Sequence, residues 1–232
     1  MVNILCIIPA RSGSKGLPNK NIKEFRGKPL IAWSIEQAKQ SAFFSKMKII
    51  VSTDSEQYAD IARQYGAEVP FLRPNNISGD LSTDYEFINH AVVWLKENQN
   101  YNSDIILQLR PTSPLRKVET IDECLEIFIK NMNKYDSLRT VVPFDKSPYK
   151  MYTVEENVLT PLFPIINDIK EPYNQCRQIL PSSYLHNGYI DIMKTCILEN
   201  NTISGNSIYP YIMNENDTID IDNINDWKKA EK

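Results

Sequence analysis

Short runs rich in isoleucine and valine alternate with longer amphipathic segments along most of this chain, and that alternation restricts the fold more than any other feature. The predicted strands are the runs at 2–8, 48–52, 105–109 and 138–142. They are as short and apolar as strands buried on both faces are. The segments between them carry apolar residues at helical spacing, for example Phe87, Ala91 and Leu95. The sequence therefore predicts an α/β, Rossmann-like fold, with a mainly parallel sheet and helices on both faces.

The segment at about 144–190 departs from this pattern. Proline, aromatic and polar residues replace the amphipathic helices there, and two short alternating stretches are predicted to pair as a hairpin. At 232 residues the chain has the length of one domain, so we interpret 1–232 as a single domain that carries a small mixed α/β insertion. The surplus of aromatic side chains in this insertion favours contact with a second subunit, and therefore a homodimer. A flap over the domain's own cleft is the alternative.

The charge balance excludes several classes of function. The formal net charge is −3, so the chain lacks the overall positive charge with which proteins hold nucleic acid, and no nucleic-acid partner is expected. No stretch approaches the ~18 consecutive apolar residues of a membrane span, and the apolar N-terminal run is too short for a signal peptide. The 4 cysteines are widely spaced and form no C-x-x-C pair, which predicts reduced, buried thiols. We therefore expect a cytoplasmic protein with no membrane partner.

A basic loop with two glycines follows the first predicted strand. Residues 9–21 are PARSGSKGLPNKN, and four of the 26 basic residues fall between Arg11 and Lys23. Ligands of open α/β sheets bind at the carboxyl ends of strands, and glycine backbone amides beside cations and hydroxyls suit phosphate oxygens. The spacing matches neither a Walker A loop nor a dinucleotide-binding fingerprint. We predict a nucleotide phosphate site here, the alternative being a solvated basic turn.

The stretch IIPARSGSKGLPNKNIK resembles the opening signature of the acylneuraminate cytidylyltransferases, the CMP-sialic acid synthetase family. This resemblance implies that the loop wraps the triphosphate of CTP. It assigns phosphate contacts to Arg11, Ser14, Lys15 and Lys20, and a nucleoside contact to Asn21. The related Kdo cytidylyltransferases share the style of this loop but not its SKGLPNKN wording.

A second stretch, FLRPNNISGDLSTD, is similar to the family's segment at the cytosine end of CTP. The resemblance carries nucleotide contacts to Arg73, Asp80 and Ser82. An arginine beside a Gly-Asp turn offers donors to the acceptors of a pyrimidine. The same polar residues also suit the cap of a following helix, which is the structural alternative.

Further stretches are similar to the family's sugar site. LRPTSPLR resembles LQPTSPLR, with Arg110 in place of glutamine, and a guanidinium could pair with a sugar carboxylate. SPYK, CRQILP and NGYIDI resemble other family pieces and make Lys150, Arg177 and Asn187 candidate contacts to the acidic sugar. Asp191 is a further candidate, standing where the sialic-acid enzymes carry tyrosine. These two departures leave sialic, legionaminic and pseudaminic acids as alternative substrates.

The sequence DTIDID near the C-terminus alternates acidic and apolar residues. In an extended backbone Asp220 and Asp222 point the same way and can share one hard cation. An acidic cap on the following helix is the alternative. The resemblance to the family's IDID metal motif favours a Mg²⁺ site on these two residues.

Together these resemblances imply a nucleotidyltransferase that moves CMP from CTP to a sialic-acid-like nonulosonic acid and releases pyrophosphate. The implied catalytic residues are Arg11, Lys20, Asp220 and Asp222. A general base is harder to assign: His90 lies on a helical stripe and is interpreted as structural, which leaves His186 as a candidate. The alternative is assistance by a substrate phosphate or a metal-bound hydroxide, which would need no base from the protein. The alternative functions are a nucleotide-sugar glycosyltransferase and a non-catalytic nucleotide-binding paralogue.

Overall fold

The four predicted strands all belong to one six-stranded sheet in the computed structural model, which describes residues 2–232 apart from the side chain of residue 216. The strands are β1 (Ile4–Pro9), β2 (Glu24–Phe25), β3 (Lys28–Pro29), β4 (Met47–Ser52), β5 (Ile105–Gln108), β6 (Ser137–Pro143), β7 (Tyr152–Glu155), β8 (Val158–Pro161), β9 (Ile165–Ile166), β10 (Ile169–Lys170), β11 (Tyr184–Lys194) and β12 (Ile208–Ile212). The main sheet has the order β12-β6-β11-β5-β1-β4. Of these six strands, β11 runs antiparallel to its neighbours, whereas the other pairings are parallel. The predicted α/β fold with a mainly parallel sheet is confirmed.

Helices cover both faces of this sheet. They are α1 (Leu30–Gln40), α2 (Glu56–Gln64), α3 (Asp84–Gln99), α4 (Val118–Lys130) and α5 (Ile224–Glu231). Side chains alternate along β1, so that Ile4, Cys6 and Ile8 pack with α1, α2 and α4 on one face. Leu5 and Ile7 pack with α3 on the other face. Two apolar layers therefore hold the strands in place, and the polar loops lie at the strand ends.

The start of α3 is fixed by a capping box. Thr83 accepts a hydrogen bond from the backbone N–H of Glu86, and the Glu86 carboxylate accepts one from the backbone N–H of Thr83 at 2.6 Å. The box satisfies backbone donors that a helix start leaves unpaired. It also fixes Asp84, the first residue of the helix, next to the end of β5.

The central strand β11 was not predicted from the sequence. It lies between β5 and β6, and it begins at Tyr184, so the C-terminal end of the segment predicted as an insertion belongs to the main sheet. Its pairing with β6 shifts register between His186 and Asp191, which marks a β-bulge. Gly188 within the bulge has φ of 63°, in the left-handed region that favours glycine.

The remainder of that segment forms two small hairpins outside the main sheet, β7–β8 and β9–β10. The first is exposed along its whole length. Apolar side chains on it, including Val154 and Leu159, face solvent in the single chain. The hairpins therefore add almost nothing to the core of their own domain.

A third, smaller apolar cluster joins the two ends of the chain. Ile221 and Trp227 are buried against Phe25 and Leu30, and Leu17 of the basic loop packs on the same cluster. This contact brings the acidic C-terminal segment onto the loop that follows β1. Within residues 2–232, no helix combines the length and apolarity needed to cross a membrane. Cys6 and Cys124 are buried as predicted, whereas Cys176 and Cys196 are exposed.

Candidate active site

A cleft of about 510 Å³ opens at the carboxyl ends of β1 and β5. Its lining contains most of the nucleotide-site residues predicted from the sequence. The predicted residues among those that line it are Arg11, Ser14, Lys15, Lys20, Asn21, Arg73, Asp80, Ser82, Arg110 and Asp222. The loop after β1, the segment after β4 and the C-terminal segment therefore meet in one cavity.

The basic loop is held open by hydrogen bonds to its backbone. Asp54, which the sequence analysis did not identify, accepts bonds from the N–H and the hydroxyl of Ser12 at 2.8 and 2.7 Å. The buried Asn21 donates to the carbonyl oxygen of Arg11 at 3.1 Å. These contacts fix the loop before any ligand arrives, which lowers the entropy that binding has to offset.

The loop cations are paired with carboxylates of the same chain. Arg11 and Lys15 lie 3.1 and 2.7 Å from the two oxygens of Asp80. The hydrogen bond from Lys15, with the charges of Lys15 and Arg11, lowers the pKa of Asp80 below its ordinary value. Asp80 is thus the counter-ion of two cations of the basic loop, and its predicted contact with the nucleotide stays a prediction.

Lys20 joins the loop to the acidic segment. Its ammonium donates to the carboxylate of Asp222 at 3.0 Å and to the carbonyl oxygen of Ile221 at 2.9 Å. The Lys20 side chain is only 12% exposed, whereas that of Asp222 is 69% exposed, so the pair is open to solvent at its carboxylate end. The buried Ile221 anchors this segment, and its N–H donates to the carbonyl oxygen of Thr112 at 2.8 Å. Thr112 was not predicted as a site residue.

Gly16 lies against the backbone of Asp222, and we expect Gly16→Ala to weaken CTP binding. A β-carbon at this position would overlap the Asp222 carbonyl oxygen, a backbone atom that cannot rotate away. The loop and the acidic segment would have to separate, at a cost of about 1–3 kcal/mol, as for other overpacked contacts. Titration of the protein with CTP measures the change.

Gly13→Ala is the matched control for that substitution. Gly13 lies in the same loop, and a β-carbon there would meet no atom within 4 Å. Its affinity for CTP should stay close to that of the unmodified chain. Equal losses in the two variants would mean that general stiffening of the loop, rather than contact with Asp222, causes the effect.

Asp220 and Asp222 are a suitable pair of ligands for a divalent cation. Burial of its carboxyl group raises the pKa of Asp220 above the ordinary value, although the residue as a whole is exposed. The negative charge of Asp222 raises this pKa further. A cation beside the two carboxylates would lower this pKa, because a nearby opposite charge favours the ionised form. Within residues 2–232, no cluster of three or more acidic, histidine or cysteine ligands occurs. Two carboxylates suit Mg²⁺, which usually takes one or two from the protein and completes its shell with phosphates and water.

Arg73 is buried and braces the end of β4. Its guanidinium donates to the carbonyl oxygen and the hydroxyl of Ser52 at 2.6 and 3.0 Å, and it stacks on Phe87. Burial lowers the pKa of Arg73 to about 10, so it stays protonated at neutral pH. Arg73 thus lines the cleft to which the resemblance assigned it, and it also fixes the end of β4.

On the predicted sugar side, Arg110 and Asp191 bind each other. The guanidinium of Arg110 contacts the carboxylate of Asp191, and its other nitrogen donates to Asp84 at 2.6 Å. Arg139, directly across the sheet, lies 2.9 Å from Asp191. Asp191 is fully buried beneath these contacts, and its predicted role toward the sugar stays a prediction. The charge of Arg110 is balanced within the protein, but its side chain is 24% exposed and lines the cleft, so its predicted contact with a sugar carboxylate stays a prediction.

The charge state of Asp191 follows from this network. Burial alone would raise the pKa of its carboxyl. The hydrogen bond from His186 and the charges of Arg110 and Arg139 outweigh that effect and hold the pKa well below its ordinary value. Asp191 is therefore an anion throughout the physiological pH range.

A second cavity, of about 450 Å³, adjoins the first at Arg110. Asn187 lines it, and its side-chain oxygen accepts a bond from the hydroxyl of Thr140 at 2.7 Å. Asp220 and His186 line it as well. The other histidine, His90, packs on Phe71 away from both cavities, in agreement with a structural role.

Lys150 and Arg177 are not brought to these two cavities. Lys150 donates to the carbonyl oxygen of Gln175, and Arg177 pairs with the exposed Asp145 at 3.1 Å. Arg177 lines a separate cavity of about 210 Å³ on the predicted insertion. Within one chain, neither residue reaches the cleft.

Known proteins with similar sequences match this chain over nearly its whole length. The CMP-N,N'-diacetyllegionaminic acid synthase of Legionella pneumophila is 38% identical over 239 residues, which covers 100% of this chain and 96% of that protein. The pseudaminic acid cytidylyltransferase of Campylobacter jejuni is 32% identical over 228 residues, which covers 97% of this chain and 94% of that protein.

A solved structure and a family model agree with those similarities. CMP:2-keto-3-deoxy-manno-octonic acid synthetase complexed with CTP matches 99% of this chain and 97% of its own, with a TM-score of 0.70 at 17% identity, and so shares the fold. The family model described as cytidylyltransferase matches residues 5–162. The chain therefore belongs to the family of cytidylyltransferases, enzymes that transfer CMP, to which its loop signature points.

Proposed function

We propose that this protein transfers CMP from CTP to a nonulosonic acid, a sialic-acid-like nine-carbon sugar acid, and releases pyrophosphate. The observation that carries the proposal is the pair formed by Lys20 and Asp222, 3.0 Å apart in the cleft at the strand ends. The cationic loop and Asp222 line one cleft and Asp220 lines the adjoining cavity, an arrangement that suits a triphosphate with its metal ion. The names of the similar legionaminic and pseudaminic acid enzymes support the sugar class.

The reaction asks the protein for position and charge rather than for a covalent intermediate. The anomeric hydroxyl of the sugar attacks the α-phosphorus of CTP in line, and pyrophosphate leaves. Arg11 and Lys20 would exchange their present carboxylate partners for phosphate oxygens and offset the charge that grows on the leaving group. Mg²⁺, which Asp220 and Asp222 would hold together with phosphate oxygens, would supply further charge neutralisation. Because CTP is a cytoplasmic metabolite, the reaction is proposed to take place there.

The test is pyrophosphate release from CTP and Mg²⁺ with four separate acceptors: sialic, legionaminic and pseudaminic acids, and Kdo. We expect release with at least one of the three nonulosonic acids and a lower kcat/KM with the eight-carbon Kdo. Absence of release with all four would favour a non-catalytic nucleotide-binding protein. Sugar transfer from a nucleotide sugar to a polysaccharide acceptor, with a nucleotide as the released product and no pyrophosphate formed from CTP, would favour a glycosyltransferase.

A homodimer is the proposed working form. Val154 and Leu159 are opposite each other on the β7–β8 hairpin and are 69% and 59% exposed, a paired apolar surface that a second copy would cover. Lys150 and Arg177 lie on the same predicted insertion and outside their own chain's two cavities. A partner's insertion would allow these cations to reach the acidic sugar in the neighbouring subunit.

Replacing both Val154 and Leu159 with Asp should convert a dimer into a monomer and lower turnover. Two carboxylates on one face of the hairpin would oppose burial against a second chain. Size-exclusion chromatography with light scattering measures the mass, which is 26.8 kDa for one chain. The matched control replaces Thr153 and Thr160, the neighbouring opposed pair, with Asp. A monomeric unmodified protein, or dissociation by the control alone, would contradict the proposed surface.

A further inference from the structure

The β-bulge in β11 places His186 and Asp191 in contact. Residues five positions apart point to opposite faces of a regular strand, because side chains alternate. The register shift between these two residues changes that parity. As a result the Nε2 atom of His186 lies 2.7 Å from Oδ1 of Asp191.

The contact fixes the orientation and the tautomer of the imidazole. Asp191 is fully buried and is held as an anion by Arg110 and Arg139, so it can only accept a hydrogen bond. Nε2 of His186 must therefore carry the proton, which leaves the lone pair of a neutral ring on Nδ1. A buried carboxylate that orients a histidine in this way is the arrangement found beside the nucleophile of serine hydrolases.

His186 also faces the place where a sugar hydroxyl would have to lie. Its ring is 43% exposed and lines the 450 Å³ cavity together with Asp220. That cavity meets the nucleotide cleft at Arg110, which lines both. A sugar in the second cavity would thus have His186 on one side and the acidic segment, which would hold the metal and phosphates, on the other.

The other titratable groups in this cavity are less suited to accept a proton. Arg110 stays charged. Tyr189 is buried, and burial raises the pKa of its hydroxyl above the ordinary value. Asp220 is the proposed metal ligand. Glu215 also lines the cavity, and no buried side chain orients its carboxylate among the contacts of residues 2–232.

We propose, on the basis of the proposed function, that His186 is the general base of the reaction and that Asp191 is its positioning residue. The anomeric O–H bond breaks as its proton passes to Nδ1 of His186. The freed oxygen forms the new bond to the α-phosphorus, and the bond from that phosphorus to the pyrophosphate oxygen breaks, so that pyrophosphate leaves with the electron pair. The imidazolium is stabilised by the Asp191 carboxylate and later returns its proton to water.

Two substitutions of His186 test this role. His186→Gln keeps a donor for the bond to Asp191 but removes the basic nitrogen, and His186→Ala removes both. We expect kcat to fall about 10²–10⁴-fold in each, the range for a lost general base, with KM for CTP near the unmodified value. The thermal midpoint should stay near the unmodified value in His186→Gln and fall in His186→Ala, which leaves the buried Asp191 without this donor. Added imidazole should raise the rate of His186→Ala in a concentration-dependent manner. His90→Gln, at the histidine that packs on Phe71 away from both cavities, should keep turnover near that of the unmodified enzyme.

A wild-type kcat in His186→Gln would show that the histidine only supports the fold, and would overturn the inference. A rate of His186→Ala that imidazole leaves unchanged would do the same. Both results leave the proposed function intact, since the unmodified enzyme still turns over. Absence of pyrophosphate release from the unmodified enzyme with every sugar acid would overturn the proposed function, and this inference with it.

Discussion

Asp222→Asn is expected to lower kcat about 10²–10³-fold while the dissociation constant of CTP changes much less. The carboxylate of Asp222 contacts Lys20 and belongs to the acidic pair that would hold the metal. Its charge matters most when charge moves to the leaving group, and loss of one such preorganised group raises a barrier by about 2.7–4 kcal/mol. Steady-state kinetics with CTP titration separates the two effects, because a loss confined to the transition state lowers kcat without raising KM.

Asp217→Asn is the control for this substitution. Asp217 lies in the same acidic segment, but it pairs with the exposed Lys117 and does not line the nucleotide cleft. Its removal should leave kcat and CTP affinity near the unmodified values. If Asp222→Asn weakened CTP binding as much as turnover, its role would be to bind the nucleotide and the proposed metal role would be wrong.

Asp191→Asn is expected to lower the free energy of unfolding by about 3–5 kcal/mol, the range for a buried ion pair that loses one partner. The substitution leaves Arg110 and Arg139 facing a neutral amide in the centre of the sheet. Urea denaturation at neutral pH measures the loss. The control is Asp145→Asn, since the Asp145 pair with Arg177 is open to solvent and its removal should have little measurable effect.

The difference in free energy of unfolding between the unmodified chain and Asp191→Asn should depend on pH, and the sign follows from the pKa of Asp191. The pKa of Asp191 is lower in the folded chain than the value of about 3.9 in an unfolded one. Its charge therefore stabilises the fold fully above that unfolded value, and the contribution is lost as pH falls toward the folded pKa. The gap between the unmodified chain and Asp191→Asn should narrow below about pH 4. A gap that stays constant with pH would contradict the ionic origin of the effect.

A double substitution tests whether the two departures from the family pattern act as one unit. Arg110→Gln alone removes a partner of the buried Asp191, whereas Arg110→Gln with Asp191→Tyr removes both charges. The combined loss of stability should be smaller than the sum of the single losses, by about 0.5–3 kcal/mol, as for contacting residues. Simple additivity would show that the pair is not coupled.

The sequence predicted the parts of the fold whose signals are local. Strand β1 is a continuous apolar run, and α3 begins with a complete capping box. Both can therefore be predicted from the local sequence alone. Strand β11 carries His186, Asn187, Gly188 and Asp191, and such polar residues argue against a central strand. Their hydrogen-bonding partners on β6 and after β5 are what make burial acceptable, and those partners are distant in the sequence.

The same division applies to the site. The basic loop could be found because it follows a strand, and ligands bind where parallel strands end. The same rule applies to Asp54, which comes just after β4. Its position could therefore have predicted that it lies beside the basic loop. The only sequence signal for the pairing of Arg110 with Asp191 was that both residues differ from the family pattern at the predicted sugar site. Two charged residues on neighbouring strands can pair only if the strand register places them on the same face. The β-bulge in β11 changes that register.

The phosphate loop of the isolated chain already has its positive charges matched: Asp80 holds Arg11 and Lys15, and Asp222 holds Lys20. Inorganic phosphate would have to displace a carboxylate that is tethered beside its cation, and one such exchange gains little. A nucleoside triphosphate makes several exchanges at once and adds contacts from its base and ribose. The built-in carboxylates should therefore keep the cleft free of the abundant small anions of the cell and reserve it for a ligand with three linked phosphates.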